Sequence, residues 1–271
     1  MRSPVPSLLA LAATLTLAAM PLSAQVRVDD LVRADVLDGG LTKRGTYITA
    51  LRLTLSDGWK TYWRAPGDAG IPPQFDWGRS QNLGALRITW PTPRVFDQNG
   101  MQSIGYDRQL VLPVEITPAD PQRPVRLRGK VEVGICKDIC VPGTLAVDHE
   151  LDAGADRNPA IVAALAQRPF TRKEAGVTSA SCRLAPVEGG MRIEARIAMP
   201  SAGGPEIAVI EPGSPRIWAS QTETRRDGGT LVATSELVPV TGGPLAVDRS
   251  AVRITVLGQR HAVDIRGCTP G

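Results

Sequence analysis

Tyr47-Ile48-Thr49-Ala50-Leu51-Arg52-Leu53-Thr54-Leu55, closed by Ser56-Asp57-Gly58, is the stretch whose pattern decides the fold. From Leu51 onward apolar and polar residues alternate, as in a strand with one face in a core. Asp57-Gly58 then supplies turn chemistry. Ala85–Trp90, Gln109–Ile116, Val125–Val133 and Thr144–His149 read the same way, with Gly, Pro and Asp clusters between them. Short strands at this spacing predict an all-β sandwich.

The pattern breaks at Asp156-Arg157-Asn158-Pro159. Asn158 suits a helix N-cap and Pro159 the first helical turn, so a short helix is expected over Ile161–Gln167, stopped by Pro169. Beyond Val177 strand-like runs return at Met191–Ala198, Glu206–Ile210, Gly229–Val238, Ala251–Leu257 and His261–Ile265, with Arg225-Arg226-Asp227-Gly228-Gly229 as a hairpin turn. The expected organisation is two immunoglobulin-like β-sandwich domains, residues 25–152 and 175–271, joined by a short helical linker, 153–174.

The composition agrees with a turn-rich chain. Of 271 residues, 27 are Gly and 23 Pro, while aromatics make up only 4%. A net charge of +4 spread along the chain gives no case for a nucleic-acid surface. His149 and His261 are the sole histidines, which argues against multi-histidine metal chemistry. Residues 1–24 read as a secretory signal peptide: Arg2, an uncharged apolar run from Leu8 to Met20, and Leu22-Ser23-Ala24 as the cleavage site. Export to a bacterial periplasm, where disulfides form readily, is therefore expected.

Four cysteines fall into two groups. Cys182 and Cys268 bracket the second half, a position suited to a structural staple. Cys136 and Cys140 sit together in Gly134-Ile135-Cys136-Lys137-Asp138-Ile139-Cys140-Val141-Pro142, near the tip of an expected hairpin. With Lys137, Asp138 and Ile139 as the loop, the two cysteines face one another at a separation of about 4.5–5.5 Å between Cα atoms. A bond there closes so short a ring that it stabilises little, which suits a switch better than a brace. Lys137 favours a thiolate and Asp138 opposes it. An inert hairpin staple, and a metal site with His149 as an extra ligand, remain open on the residues alone.

The first half resembles the N-terminal periplasmic domain of the thiol:disulfide interchange protein DsbD family, and within it the longer ScsB-like branch linked to copper tolerance. The resemblance runs through Gly58-Trp59-Lys60-Thr61-Tyr62-Trp63, Pro66-Gly67-Asp68-Ala69-Gly70-Ile71-Pro72-Pro73, Phe75-Asp76-Trp77, Trp90-Pro91, Ser103-Ile104-Gly105-Tyr106, Leu112-Pro113-Val114 and the Cys136–Pro142 segment. It covers about Val26 to Leu151. It implies an immunoglobulin-like domain whose Cys136/Cys140 pair receives electrons from a membrane-embedded thiol donor. The domain passes them to periplasmic disulfide-containing or thioredoxin-like proteins, as a protein-disulfide reductase component without a cofactor. Phe96-Asp97-Gln98-Asn99-Gly100 falls where that family carries a loop capping the cysteines, with Phe96 and Gly100 the matching residues. Tyr106 is a candidate support, with a core role equally open. The best-known members separate their cysteines by five residues; three stand here, as in the ScsB-like branch. The sequence holds neither a multi-helix membrane segment nor a thioredoxin-like domain, so a separate donor protein is expected.

A different class of function is a non-catalytic binding or chaperone-like module handling Cu(I) through the two thiolates. Trp59, Trp63, Trp77 and Trp90 are read as buried packing rather than a sugar or peptide cleft. Asp68 and Asp76 are read as turn residues rather than a hydrolytic pair.

Overall fold

The computed structural model describes residues 27–271 apart from Ala69 and Asn99. The expected signal peptide, with its cleavage site at Ala24, lies outside the described residues. The chain is all-β, built as two immunoglobulin-like sandwiches.

The first sandwich begins with a single helical turn, α1 (Val28–Leu31). Ten strands follow: β1 (Val32–Leu41), β2 (Tyr47–Leu55), β3 (Lys60–Gly67), β4 (Gln74–Asp76), β5 (Leu83–Ile88), β6 (Arg94–Gln98), β7 (Met101–Asp107), β8 (Gln109–Pro118), β9 (Arg126–Cys136) and β10 (Cys140–Glu150). One sheet runs β1-β2-β8-β5. The other runs β10-β9-β3-β7-β6, with β4 also paired to β9. The alternation in β2 is realised: Leu51, Leu53 and Leu55 are buried and Arg52 and Thr54 only partly so. Beside them in the same sheet lie Leu110, Leu112, Val114 and Ile116 of β8, and Leu127, Val131, Val133 and Ile135 of β9 come from the other sheet.

Strand β3 escapes a reading by alternation. Its Thr61, Tyr62 and Trp63 are consecutive and all buried, at 1%, 1% and 0% exposure, because both faces of this central strand are covered. Its pairing with β7 slips between Tyr62 and Gly67, a bulge that turns Trp63 and Arg64 out of the ladder. Strand β1 escapes for the opposite reason. It is an edge strand with polar residues on both faces, so no period shows.

Helix α2 (Pro159–Ala166) starts where expected. The Asn158 side chain accepts a bond from Ala160 N–H at 3.0 Å, with Pro159 in the first turn. The second sandwich comprises β11 (Phe170–Thr171), β12 (Ser179–Val187), β13 (Gly190–Ala198), β14 (Ile207–Glu211), β15 (Ile217–Ala219), β16 (Glu223–Asp227), β17 (Thr230–Pro239), β18 (Arg253–Leu257), β19 (Ala262–Arg266) and β20 (Thr269–Pro270). Its sheets are β11-β19-β18-β14 and β15-β17-β13-β12-β20, with β16 on β17. The β16–β17 hairpin turns at Gly228-Gly229, as expected.

The sandwiches share packing. Val209, Leu257 and Ala262, on one face of β14-β18-β19, join the first sandwich's apolar cluster, and the opposite face fills the second core. Fractional burial of all four tryptophans named above places them in or against the first core, the packing role expected of them.

Candidate functional site

Strands β9 and β10 pair in unbroken antiparallel register from Glu150↔Arg126 to Cys140↔Cys136, so Lys137-Asp138-Ile139 is the connecting loop. The two cysteines are bonded, with Cα atoms 4.1 Å apart, slightly closer than the expected spacing. The short loop draws the strand ends together.

The two sulfurs occupy different surroundings. Cys136 is 0% exposed, since β9 lies between β10 and β3, where Lys60 is its neighbour. Cys140 is exposed, because β10 is the sheet's edge strand and Cys140 its first residue. Cys140 is therefore the more accessible residue of the pair. Ile139, beside it, is 59% exposed.

Tyr62 reaches this pair from beneath. Its hydroxyl lies 3.5 Å from Cys140 Sγ, while the residue is only 1% exposed. Burial pushes the phenol above its ordinary pKa, so it stays a proton donor. In the sequence Tyr62 stands within Gly58-Trp59-Lys60-Thr61-Tyr62-Trp63 with no pattern that assigns it a role. Its signal was a tyrosine two positions from Lys60 on a strand that leads to the cysteine level.

The remaining candidates are placed as follows. Lys137 and Asp138 are exposed, and the Lys137 side chain lies over Gly58, whose φ of +80° suits glycine. A recess of about 560 Å³ beside the hairpin tip is lined by Trp59, Lys60, Phe96, Arg108, Lys137 and Asp138, among others. Phe96 thus reaches the flank of the tip, with Lys60 Nζ 5.0 Å from its ring centre. Burial lowers the pKa of that ammonium. Gly100 closes the β6–β7 turn, its N–H donating to Asp97 Oδ1 at 3.2 Å. Strand order sets β6 on the opposite edge of the sheet from β10. Tyr106 belongs to the core rather than to the cysteine loop: it is 7% exposed, stacks with Trp90 and donates to Pro91 O at 2.8 Å. Asp76 accepts from Gly78 N–H at 2.9 Å, a turn contact.

His149 does not approach the cysteines. It lies at the far end of β10, with Nε2 2.7 Å from Asp38 Oδ2. Among the described residues no three His, Cys, Asp or Glu gather as a metal-holding group. Cys182 and Cys268 are bonded in the second core, the first 0% exposed, with Cα atoms 5.7 Å apart.

Among the described residues no helix is long and apolar enough to cross a membrane. No curated protein gives a significant sequence match. Among solved structures, the N-terminal periplasmic domain of ScsB from Proteus mirabilis has a similar fold. The TM-score is 0.69 and the identity 20%, over 91% of this chain and 97% of that one, so the likeness extends through the second sandwich. Residues 34–150 match the family model described as "Thiol:disulfide interchange protein DsbD, N-terminal". Over these residues the first sandwich is thus similar to the DsbD N-terminal domain family.

Proposed function

We infer that the chain is a periplasmic thiol–disulfide exchange module whose working pair is Cys136/Cys140, with Cys140 as the attacking sulfur. The observation that carries this reading is the asymmetry of the pair: one cysteine exposed at an edge-strand hairpin tip, its partner fully buried beside it. The family match of the first sandwich and the periplasmic description of the ScsB domain support the chemistry and the compartment.

In the reduced protein the Cys140 thiolate attacks one sulfur of a partner disulfide. A mixed disulfide forms and the partner's second sulfur leaves as a thiolate. Cys136 then attacks Cys140 Sγ, closing the internal bond and releasing the partner. The partner gains two electrons and two protons, and the pair here is oxidised. A dithiol donor reloads it by the reverse sequence. Tyr62 donates its hydroxyl hydrogen to Cys140 Sγ, an interaction stronger with a thiolate than with a neutral sulfur. Cys182–Cys268, enclosed in the second core, is a structural brace. The partners are a membrane-embedded thiol donor and periplasmic thioredoxin-like or disulfide-bearing proteins.

Trapping in the native cell tests this. Cys136→Ser keeps the exposed cysteine and removes the resolving one, so mixed disulfides accumulate. Cys140→Ser leaves only the buried cysteine and traps little. Absence of mixed disulfides with both variants, or their accumulation with Cys140→Ser alone, sinks the reading.

A further inference from the structure

Beside the apolar contacts of Val209, Leu257 and Ala262, a polar contact joins the second sandwich to strand β3, the strand that carries Tyr62. Arg64 leaves the β3 bulge and crosses to β14, where its Nε and Nη2 donate to the two carboxylate oxygens of Glu211 at 3.0 and 2.9 Å. Nη2 also donates to Thr255 Oγ1 on β18 at 3.1 Å. The two side chains are only 13% and 22% exposed, unlike most ion pairs of this molecule, and Thr255 is 0% exposed. The guanidinium also stacks on the Trp63 ring, 3.9 Å from its centre. A fork–fork pair with a stacked plane fixes orientation as well as distance.

Three successive residues then span the gap to the chemistry. Arg64 is held by the second sandwich, Trp63 is 0% exposed under it, and Tyr62 puts its hydroxyl on Cys140. A bulge is a place where a strand has lost ladder bonds and needs outside contacts to define its path. Here those contacts come from β14 and β18. We propose that the second sandwich positions the redox pair: the Arg64–Glu211 clamp sets the path of β3 and thereby the placement of the Tyr62 hydroxyl against Cys140. Arg64 and Glu211 are positioning residues. The inference rests on the exchange role of Cys140 proposed above, and gives the second sandwich a part in it.

The test uses the full chain with Cys136→Ser, which leaves Cys140 as the one thiol outside the Cys182–Cys268 bridge. The rate of alkylation by iodoacetamide at pH 7 reads the thiolate fraction of Cys140. Tyr62→Phe is expected to slow it about three- to tenfold, the worth of one hydrogen bond. Glu211→Ala is expected to slow it by a comparable factor, and Glu211→Gln, which retains an acceptor, by less. Tyr62→Phe combined with Glu211→Ala is expected to be no slower than Tyr62→Phe alone, the signature of two changes acting through one contact. Ile197→Val, in the core of the second sandwich, lowers the unfolding midpoint and leaves the rate as it was. Parental rates for both Glu211 variants beside a slowed Tyr62→Phe overturn the inference and leave the exchange reading standing. A rate lowered equally by Ile197→Val overturns it too, by tracing the effect to general loosening. A parental rate for Tyr62→Phe removes the contact through which the clamp acts and overturns it as well, while trapping by Cys136→Ser still judges the exchange reading separately.

Discussion

Replacing each cysteine pair in turn by alanine separates a brace from a switch. The bond between Cys182 and Cys268 spans a sequence separation of 86, so it closes a loop of 87 residues (86 + 1). The chain-entropy relation assigns such a loop about 4–5 kcal/mol of stabilisation. The bond between Cys136 and Cys140 spans a separation of 4 and closes a loop of 5 (4 + 1). The same relation assigns it about 2 kcal/mol. Each pair contains one cysteine at 0% exposure, so the loss of buried sulfur is similar and the difference comes from the loops. For a chain of this size the unfolding midpoint should fall by roughly 8–20 °C without the long-range bond and by roughly 4–8 °C without the hairpin bond. Thermal unfolding followed by circular dichroism measures both. Mild dithiothreitol treatment of the native protein, followed by alkylation and mass spectrometry, should label Cys136 and Cys140 and leave Cys182 and Cys268 bonded. If loss of the hairpin bond costs as much as loss of the other, or the second-core bond is reduced first, the division of roles fails.

Arg226→Ala should be among the more damaging single substitutions. It strips Glu206, whose side chain is 5% exposed, of a two-point ion pair at 2.5 and 2.8 Å, and should cost about 3–5 kcal/mol in urea unfolding. A loss under 1 kcal/mol would show that water or a neighbour replaces the arginine. Gly105→Ala should destabilise by about 1–3 kcal/mol, since the added methyl would lie 2.1 Å from Thr61 O and force β7 away from β3; an unchanged midpoint would contradict that packing. Asp148, bonded to Arg126 and Arg128, is held down to a pKa of about 2, chiefly by the hydrogen bond from Arg126. A depressed folded pKa contributes stability above the ordinary carboxylate value, and that contribution disappears as pH falls toward about 2. Carboxyl NMR titration should show the low value in the native chain and a rise in Arg126→Ala; because these groups are exposed, added salt should shrink the difference.

The linear chain determines a good deal. Strand β2 is legible because one of its faces is buried and the other is not, which is the condition under which a period of two appears. Helix α2 is legible from Asn158-Pro159, a local capping arrangement that needs no distant partner. The Cys136/Cys140 hairpin is legible because its three-residue loop dictates which residues face each other. Only the folded molecule decides which cysteine is exposed, because the burial of Cys136 comes from β3, which lies about seventy residues earlier in the chain. It also decides that Tyr62 meets Cys140 across 78 positions and that Arg64 meets Glu211 across 147. Such contacts depend on strand order and on a bulge that re-aims β3, and no short window of sequence carries either. Local chemistry specifies the elements; the exposure of one cysteine and the burial of the other arise only when distant strands are laid side by side.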